Sequence, residues 1–266
     1  MPRALIIRHA APETLGGNFT PLLEGLGFQL EPLNVFDLAP DYSHFPAPDL
    51  AGISLIIALG GPLSANDELP ALRQERAYLK TAVERDIPIF AVCLGAQLLA
   101  VALGGAVEPT GGYQFGLRRI AITAAGHADP VFGQLTVPLA PTLHGECFSI
   151  PEGAVKLAEG YMLRRDGSYR RINMAYRYGS CYGFQFEPQL TLAELHVWNR
   201  ELFDDYKLMG DRFDPQEEAD RNLREFIRYA SIHEAQMARL MRAFLVNAGL
   251  IPEDEGPGAP GGEGLA

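Results

Sequence analysis

Short apolar, β-branched runs alternate with amphipathic stretches through the first hundred residues. Ala4-Leu5-Ile6-Ile7 reads as a strand, and Asn18 to Gly27 reads as a helix with a glycine stop. Leu30 to Phe36 follows as a second strand. Ile53 to Leu59 is apolar on both faces, as a central parallel strand requires. Asp67 to Arg85 carries Leu69, Leu72, Ala77, Leu79 and Val83 at helical spacing, and Ile87 to Val92 is a further buried strand that runs straight into Cys93. This alternation predicts right-handed crossovers and a doubly wound α/β fold with a mostly parallel sheet.

Beyond Gly104-Gly105 the pattern changes. The runs Leu117–Thr123, Leu135–Leu143, Ala154–Ala158, Ile172–Tyr178 and Cys181–Phe186 are broken by Gly, Pro and Asp, and predict strands that extend or flank the sheet. Thr191-Leu192-Ala193-Glu194 is a capping box opening a helix to about Tyr206. Asp214-Pro215 opens another, with Pro at the first helical position. Leu223, Phe226, Ile227 and Ala230, then Met237, Leu240, Met241, Phe244 and Leu245, keep a helical period. Ser231-Ile232-His233-Glu234 either starts a third helix or interrupts the second. The final fifteen residues, with five Gly and three Pro, predict disorder. The expected organisation is one domain over 1–190, a helical extension over 191–251 and a tail over 252–266.

Composition narrows the class. Apolar residues make up 47% of the 266 and charged residues 21%, which suits a globular core and excludes wholesale disorder. No apolar run approaches a membrane span, and the start of the chain lacks a signal-peptide pattern, so a cytoplasmic protein is expected. The net charge is −11, without a basic run, which disfavours nucleic acid as a partner. Three cysteines, Cys93, Cys147 and Cys181, form no CxxC pair and predict no disulfide framework. His144 and Cys147 are two possible metal ligands without a second pair, so no metal and no cofactor are expected.

Two segments carry chemistry. In Phe90-Ala91-Val92-Cys93-Leu94-Gly95-Ala96-Gln97 a buried strand ends in a cysteine and a helix follows at once, the geometry of a nucleophile elbow. The helix start favours thiolate there; taken alone, the segment equally fits a buried structural cysteine. Gly60-Gly61-Pro62 follows a central strand and either turns an N–H toward a ligand or forms a plain turn.

Together with His144-Gly145-Glu146-Cys147-Phe148, and in this order, these segments resemble the class-I glutamine amidotransferases, most closely their stand-alone, GMP-synthase-like branch. The resemblance runs from residue 4 to about 190 and implies a flavodoxin-like fold. It implies Cys93 as nucleophile toward the amide of glutamine or a γ-glutamyl compound, and the N–H groups of Gly61 and Leu94 as oxyanion hole. It further implies that Gln97, His144, Gly145 and Glu146 hold substrate. The family's third signature, Gly-(Val/Leu)-Gln-Phe-His-Pro-Glu, reads here Gly183-Phe184-Gln185-Phe186-Glu187-Pro188-Gln189. Glu187 stands at the base position and Gln189 at the position of its orienting carboxylate, both on one side of an extended segment. A carboxylate is a poor base toward a thiol and repels a thiolate, so weakened or altered turnover is expected, with a ligand- or partner-binding module as the alternative. Of the six histidines, only His144 belongs to a pocket-forming motif. Residues 191–251 are too few for a synthetase module, which places any ammonia acceptor on another chain; self-association stays open.

Overall fold

The computed structural model describes residues 1–253, so most of the segment expected to be disordered lies outside the described residues. In chain order the elements are β1 (Arg3–Arg8), α1 (Gly16–Gly25), β2 (Gln29–Asn34), a single turn α2 (Val35–Leu38), β3 (Ile53–Ala58), α3 (Pro70–Glu84), β4 (Ile89–Val92) and α4 (Leu94–Ala102). There follow β5 (Val107–Arg119), β6 (Ala121–Ile122), α5 (Ala124–Ala128), β7 (Leu139–Phe148), β8 (Val155–Leu163), β9 (Tyr169–Tyr178) and β10 (Cys181–Phe184). The chain then enters α6 (Leu192–Glu201), a 3-10 segment (Phe203–Met209) and α7 (Pro215–Asn247).

Eight strands form one sheet in the order β2-β1-β3-β4-β10-β9-β8-β6. The first five are mutually parallel and the last three add on antiparallel. The 2-1-3-4 start followed by a parallel fifth strand is the flavodoxin-like order, which opens a crevice at the carboxyl ends of β1, β3 and β4. β5 and β7 pair only with each other, as an antiparallel ribbon that stands beside this edge. The strands after Gly105 therefore divide: four extend the sheet and two form a separate ribbon.

Both faces of the sheet are covered. On one, Phe19 of α1 and Met237, Leu240 and Phe244 of α7 pack on Phe90 and Phe184. On the other, α3 and α4 bury Leu72, Leu79, Leu98 and Leu99. A third cluster, Phe115, Trp198, Tyr206 and Phe226, joins the ribbon to the C-terminal helices.

Several boundaries differ from those expected. β5 starts ten residues before Leu117, because Pro109 and Gly111-Gly112 interrupt its register without ending it. β7 runs to Phe148, so His144-Gly145-Glu146 lies within a strand. The helix begun by the Thr191–Glu194 capping box ends at Glu201 and tightens into 3-10 geometry before Tyr206. Ser231–Glu234 neither starts nor breaks a helix. α7 is continuous over 33 residues, because His233 and Gln236 turn inward on the same face as Phe226 and Met237.

Candidate active site

β4 delivers Cys93 to the sheet edge, and the elbow is visible in its backbone. Cys93 has φ 47° and ψ −110°, a conformation that L-residues avoid and that is held here from both sides. Its N–H donates to the Phe184 carbonyl at 2.7 Å, and its carbonyl accepts from Gln97 N at 3.0 Å. α4 starts so close to the sheet that a Cβ on Gly95 would stand 2.2 Å from the Ala58 carbonyl oxygen. Only glycine fits there.

Cys93 faces a cavity of about 360 Å³. Gly61, Leu94, Gln97, His144, Gly145 and Glu146, all expected at the site, line it with Cys93. The Leu94 N–H is directed at the sulfur. Gln97 is buried; its Nε2 reaches the Glu146 carbonyl at 3.4 Å and Gln185 Oε1 at 3.3 Å, and it neither caps the helix nor faces solvent. The Glu146 carboxylate accepts from Ser64 Oγ at 2.9 Å, which ties β7 to the loop after Gly60-Gly61-Pro62. His144 donates from Nδ1 to the Glu146 carbonyl at 2.8 Å, and burial lowers its pKa to about 4, so it is neutral at pH 7. Its Nε2 has no partner.

Glu187 and Gln189 stand behind this lining rather than in it. Gln189 Nε2 donates to Glu187 Oε2 at 2.8 Å, as their spacing on an extended segment predicts. The Cys93 thiol donates to the Leu143 carbonyl at 3.6 Å and accepts from Gln185 Nε2 at 3.7 Å, and the buried Glu187 carboxyl acts on it electrostatically from behind the lining. Burial raises the Glu187 carboxyl to about 7, against the lowering effect of its bonds to Gln189 and Cys93. Cys93 is raised well above an ordinary thiol, by burial first and then by the charges of Glu187 and Glu13. The helix start was expected to favour thiolate, and the Leu94 N–H does act in that direction. Two carboxyls and a dry surrounding outweigh it.

Glu13 was not among the expected residues. It sits in the β1–α1 loop, 5% exposed, and lines the cavity beside Cys93. The site of a Cβ on Gly60 would lie 3.3 Å from both the Glu13 carboxyl carbon and Cys93 Cβ. Burial, then the Glu187 charge, raises the Glu13 carboxyl well above its ordinary value. The available signal was positional: a loop at the carboxyl end of a strand beside the switch point faces the crevice. Tyr113, which donates to Asp205 Oδ2 at 2.7 Å, closes the outer wall and carried no sequence signal. His9 lies behind the glycine loop, donating to the Gly60 carbonyl at 3.2 Å and to Glu75 Oε2 at 2.8 Å. Among the described residues no three His, Cys, Asp or Glu side chains converge closely enough to hold a metal ion, and no helix is long and apolar enough to cross a membrane.

Comparison with known proteins bears on the family and the fold. The glutamine amidotransferase class-I family model matches residues 29–195. The chain is 28% identical over 163 residues to a glutamine-hydrolysing GMP synthase subunit of Saccharolobus solfataricus, covering 61% of this chain and 80% of that one. It is 29% identical over 182 residues to the GMP synthase of Christiangramia forsetii, of which it spans 31%. Among solved structures, a glutamine amidotransferase from Methylobacillus flagellatus superposes with a TM-score of 0.76 at 25% identity, over 93% of this chain and 95% of that one. One from Thermotoga maritima superposes with a TM-score of 0.73 at 22% identity, over 91% and 98%, and bears on the fold alone. The chain belongs to the class-I glutamine amidotransferase family.

Proposed function

We propose that this chain hydrolyses the side-chain amide of glutamine or of a γ-glutamyl compound through Cys93, at a rate held far below that of a Cys–His pair. The observation that carries this reading is the elbow cysteine on the cavity floor, flanked by Gly61 and Leu94 and facing Glu187. Cys93 Sγ would attack the amide carbon, and the Gly61 and Leu94 N–H groups would hold the oxyanion. Gln97, His144, Gly145 and Glu146 would hold the rest of the substrate. The thiol proton must reach the departing ammonia. Glu187, at about 7, is divided between acid and base near neutrality. In its basic form it is an anion beside the thiolate that it would create. Protonation fits one half of the cycle and charge opposes the other.

A second reading is favoured by the raised Cys93 thiol itself: the pocket binds its ligand and does not turn it over. In either reading residues 1–190 carry the site and 191–251 wall it in. An ammonia-accepting chain would be separate, as in relatives named as glutamine-hydrolysing subunits. Glutamate and ammonia release from glutamine and from γ-glutamyl amides, natural protein against Cys93→Ala, separates the two. Slow release that disappears in Cys93→Ala supports turnover. No release, with glutamine still raising the melting temperature, supports binding alone.

A further inference from the structure

Gln185 Nε2 donates to Cys93 Sγ at 3.7 Å from a side chain that is wholly buried and stands behind the sulfur, off the cavity wall. The segment that carries it follows β10 directly, and its own N–H donates to the Met174 carbonyl of β9 at 2.9 Å. The side-chain amide is therefore held from the backbone outward.

One backbone carbonyl fixes the direction of this contact. Gln97 reaches the Glu146 carbonyl at 3.4 Å, and a carbonyl only accepts, so the Gln97 atom at that place is Nε2. The same nitrogen meets Gln185 at 3.3 Å, so the Gln185 atom there is Oε1. That leaves Gln185 Nε2 turned to the sulfur. Both hydrogens of Gln97 Nε2 are engaged in this way, and its Oε1 is the atom left to meet a ligand in the cavity.

Ionisation of Cys93 changes the worth of each neighbour. The Leu143 carbonyl accepts from a thiol at 3.6 Å and repels a thiolate. The Leu94 N–H is needed for the oxyanion in the reaction proposed above. An ionised Glu187 brings charge and no donor. Gln185 offers an N–H that stays with the sulfur throughout, and a hydrogen bond to a charged group is stronger than one between neutral groups.

We propose that Gln185 is a catalytic residue of this site, the side-chain donor that holds the Cys93 thiolate, and that Gln97 acts through it as a positioning residue. Gln185 gives up no proton; it lowers the cost of the charge on sulfur while the carbon is attacked. This rests on Cys93 being the nucleophile, as proposed above.

The test is the rate at which iodoacetamide alkylates Cys93 at pH 9 in the full chain, read by peptide mapping, with melting temperature as the check on folding. Gln185→Met keeps the side-chain length, removes the donor and leaves the reagent's path through the cavity unchanged. Alkylation should slow about tenfold, the loss expected for one hydrogen bond to a charged group. Gln97→Met should slow it in the natural protein and have no further effect beside Gln185→Met, because Gln97 reaches the sulfur only through Gln185. An unchanged rate in Gln185→Met overturns the donor and leaves the nucleophile standing. Equal slowing by Gln97→Met in both backgrounds overturns its positioning role. If Gln185→Met does not fold, Gln97→Met decides alone: slowing of about threefold or more supports the proposal, and anything less overturns it. Failure of iodoacetamide to modify Cys93 in the natural protein overturns the nucleophile reading and this proposal together.

Discussion

The Glu187 carboxyl and the Cys93 thiol are both buried, and the charge of the one acts directly on the ionisation of the other. The segment that carries Glu187 is fixed at both ends: its N–H donates to the Pro141 carbonyl at 2.9 Å, and its carbonyl accepts from Leu190 N at 3.3 Å. Position 187 is therefore placed for a group acting on the sulfur, while its charge works against a thiolate. Shape and charge have separated at one residue.

That separation affects stability with a definite sign. The Glu187 carboxyl is raised from about 4.5 to about 7 on folding. A group raised in this way leaves stability untouched below about 4.5 and reduces it as pH rises, fully so above about 7. The full effect is on the order of 3 kcal/mol. Glu187→Gln keeps an acceptor for Gln189 and removes the charge. It should melt with the natural protein at pH 4.5 and several degrees above it at pH 8. Equal melting at both would show that Glu187 is not held in a dry site.

The thiols should differ in how they respond to pH. Cys93 alone lines the cavity, while Cys147 and Cys181 are buried among core side chains. Iodoacetamide should modify Cys93 first, slowly at pH 7 and increasingly above pH 9. Glu187→Gln or Glu13→Gln should speed the neutral-pH reaction about tenfold, a gain equivalent to about 1.4 kcal/mol in favour of the thiolate. Faster labelling of Cys147 or Cys181 would show that the cavity does not reach the sulfur.

The C-terminal helices contribute to the core. The Phe244 ring stands 5.3 Å from Phe90 and 5.7 Å from Tyr182, edge-on to both. Phe244→Ala should cost about 3–5 kcal/mol in a denaturant titration. Ending the chain at Leu190 should expose this face and cause aggregation. A soluble, fully stable product would contradict the packing.

The central sheet was legible because Ile53–Leu59 and Ile87–Val92 are apolar on both faces, a pattern that a buried parallel strand produces. Cys93 was legible because it follows such a strand and precedes a helix. β5 was not: its first half carries Pro109 and two adjacent glycines, which locally resemble a loop, and only its partner β7 makes it a strand. Helix α7 looked divided at Ser231–Glu234, because a polar histidine marks no core face until Phe226 and Tyr229 are seen packed around it. Glu13 escaped for a related reason. One acid in a loop is ordinary in one dimension, and its burial follows from Trp198 Nε1 donating to the Pro12 carbonyl across 186 residues.

The most direct measurement of the account is glutamate release from glutamine by the natural protein, by Glu187→His with Gln189→Glu, and by that pair with Cys93→Ala. If Cys93 is a competent nucleophile restrained by the charge at position 187, the double substitution places an oriented base beside it. Release should then rise about a hundredfold or more, and Cys93→Ala should abolish the gain. Rapid release by the natural protein, unchanged by Glu187→Ala, would contradict the account and direct attention to His144.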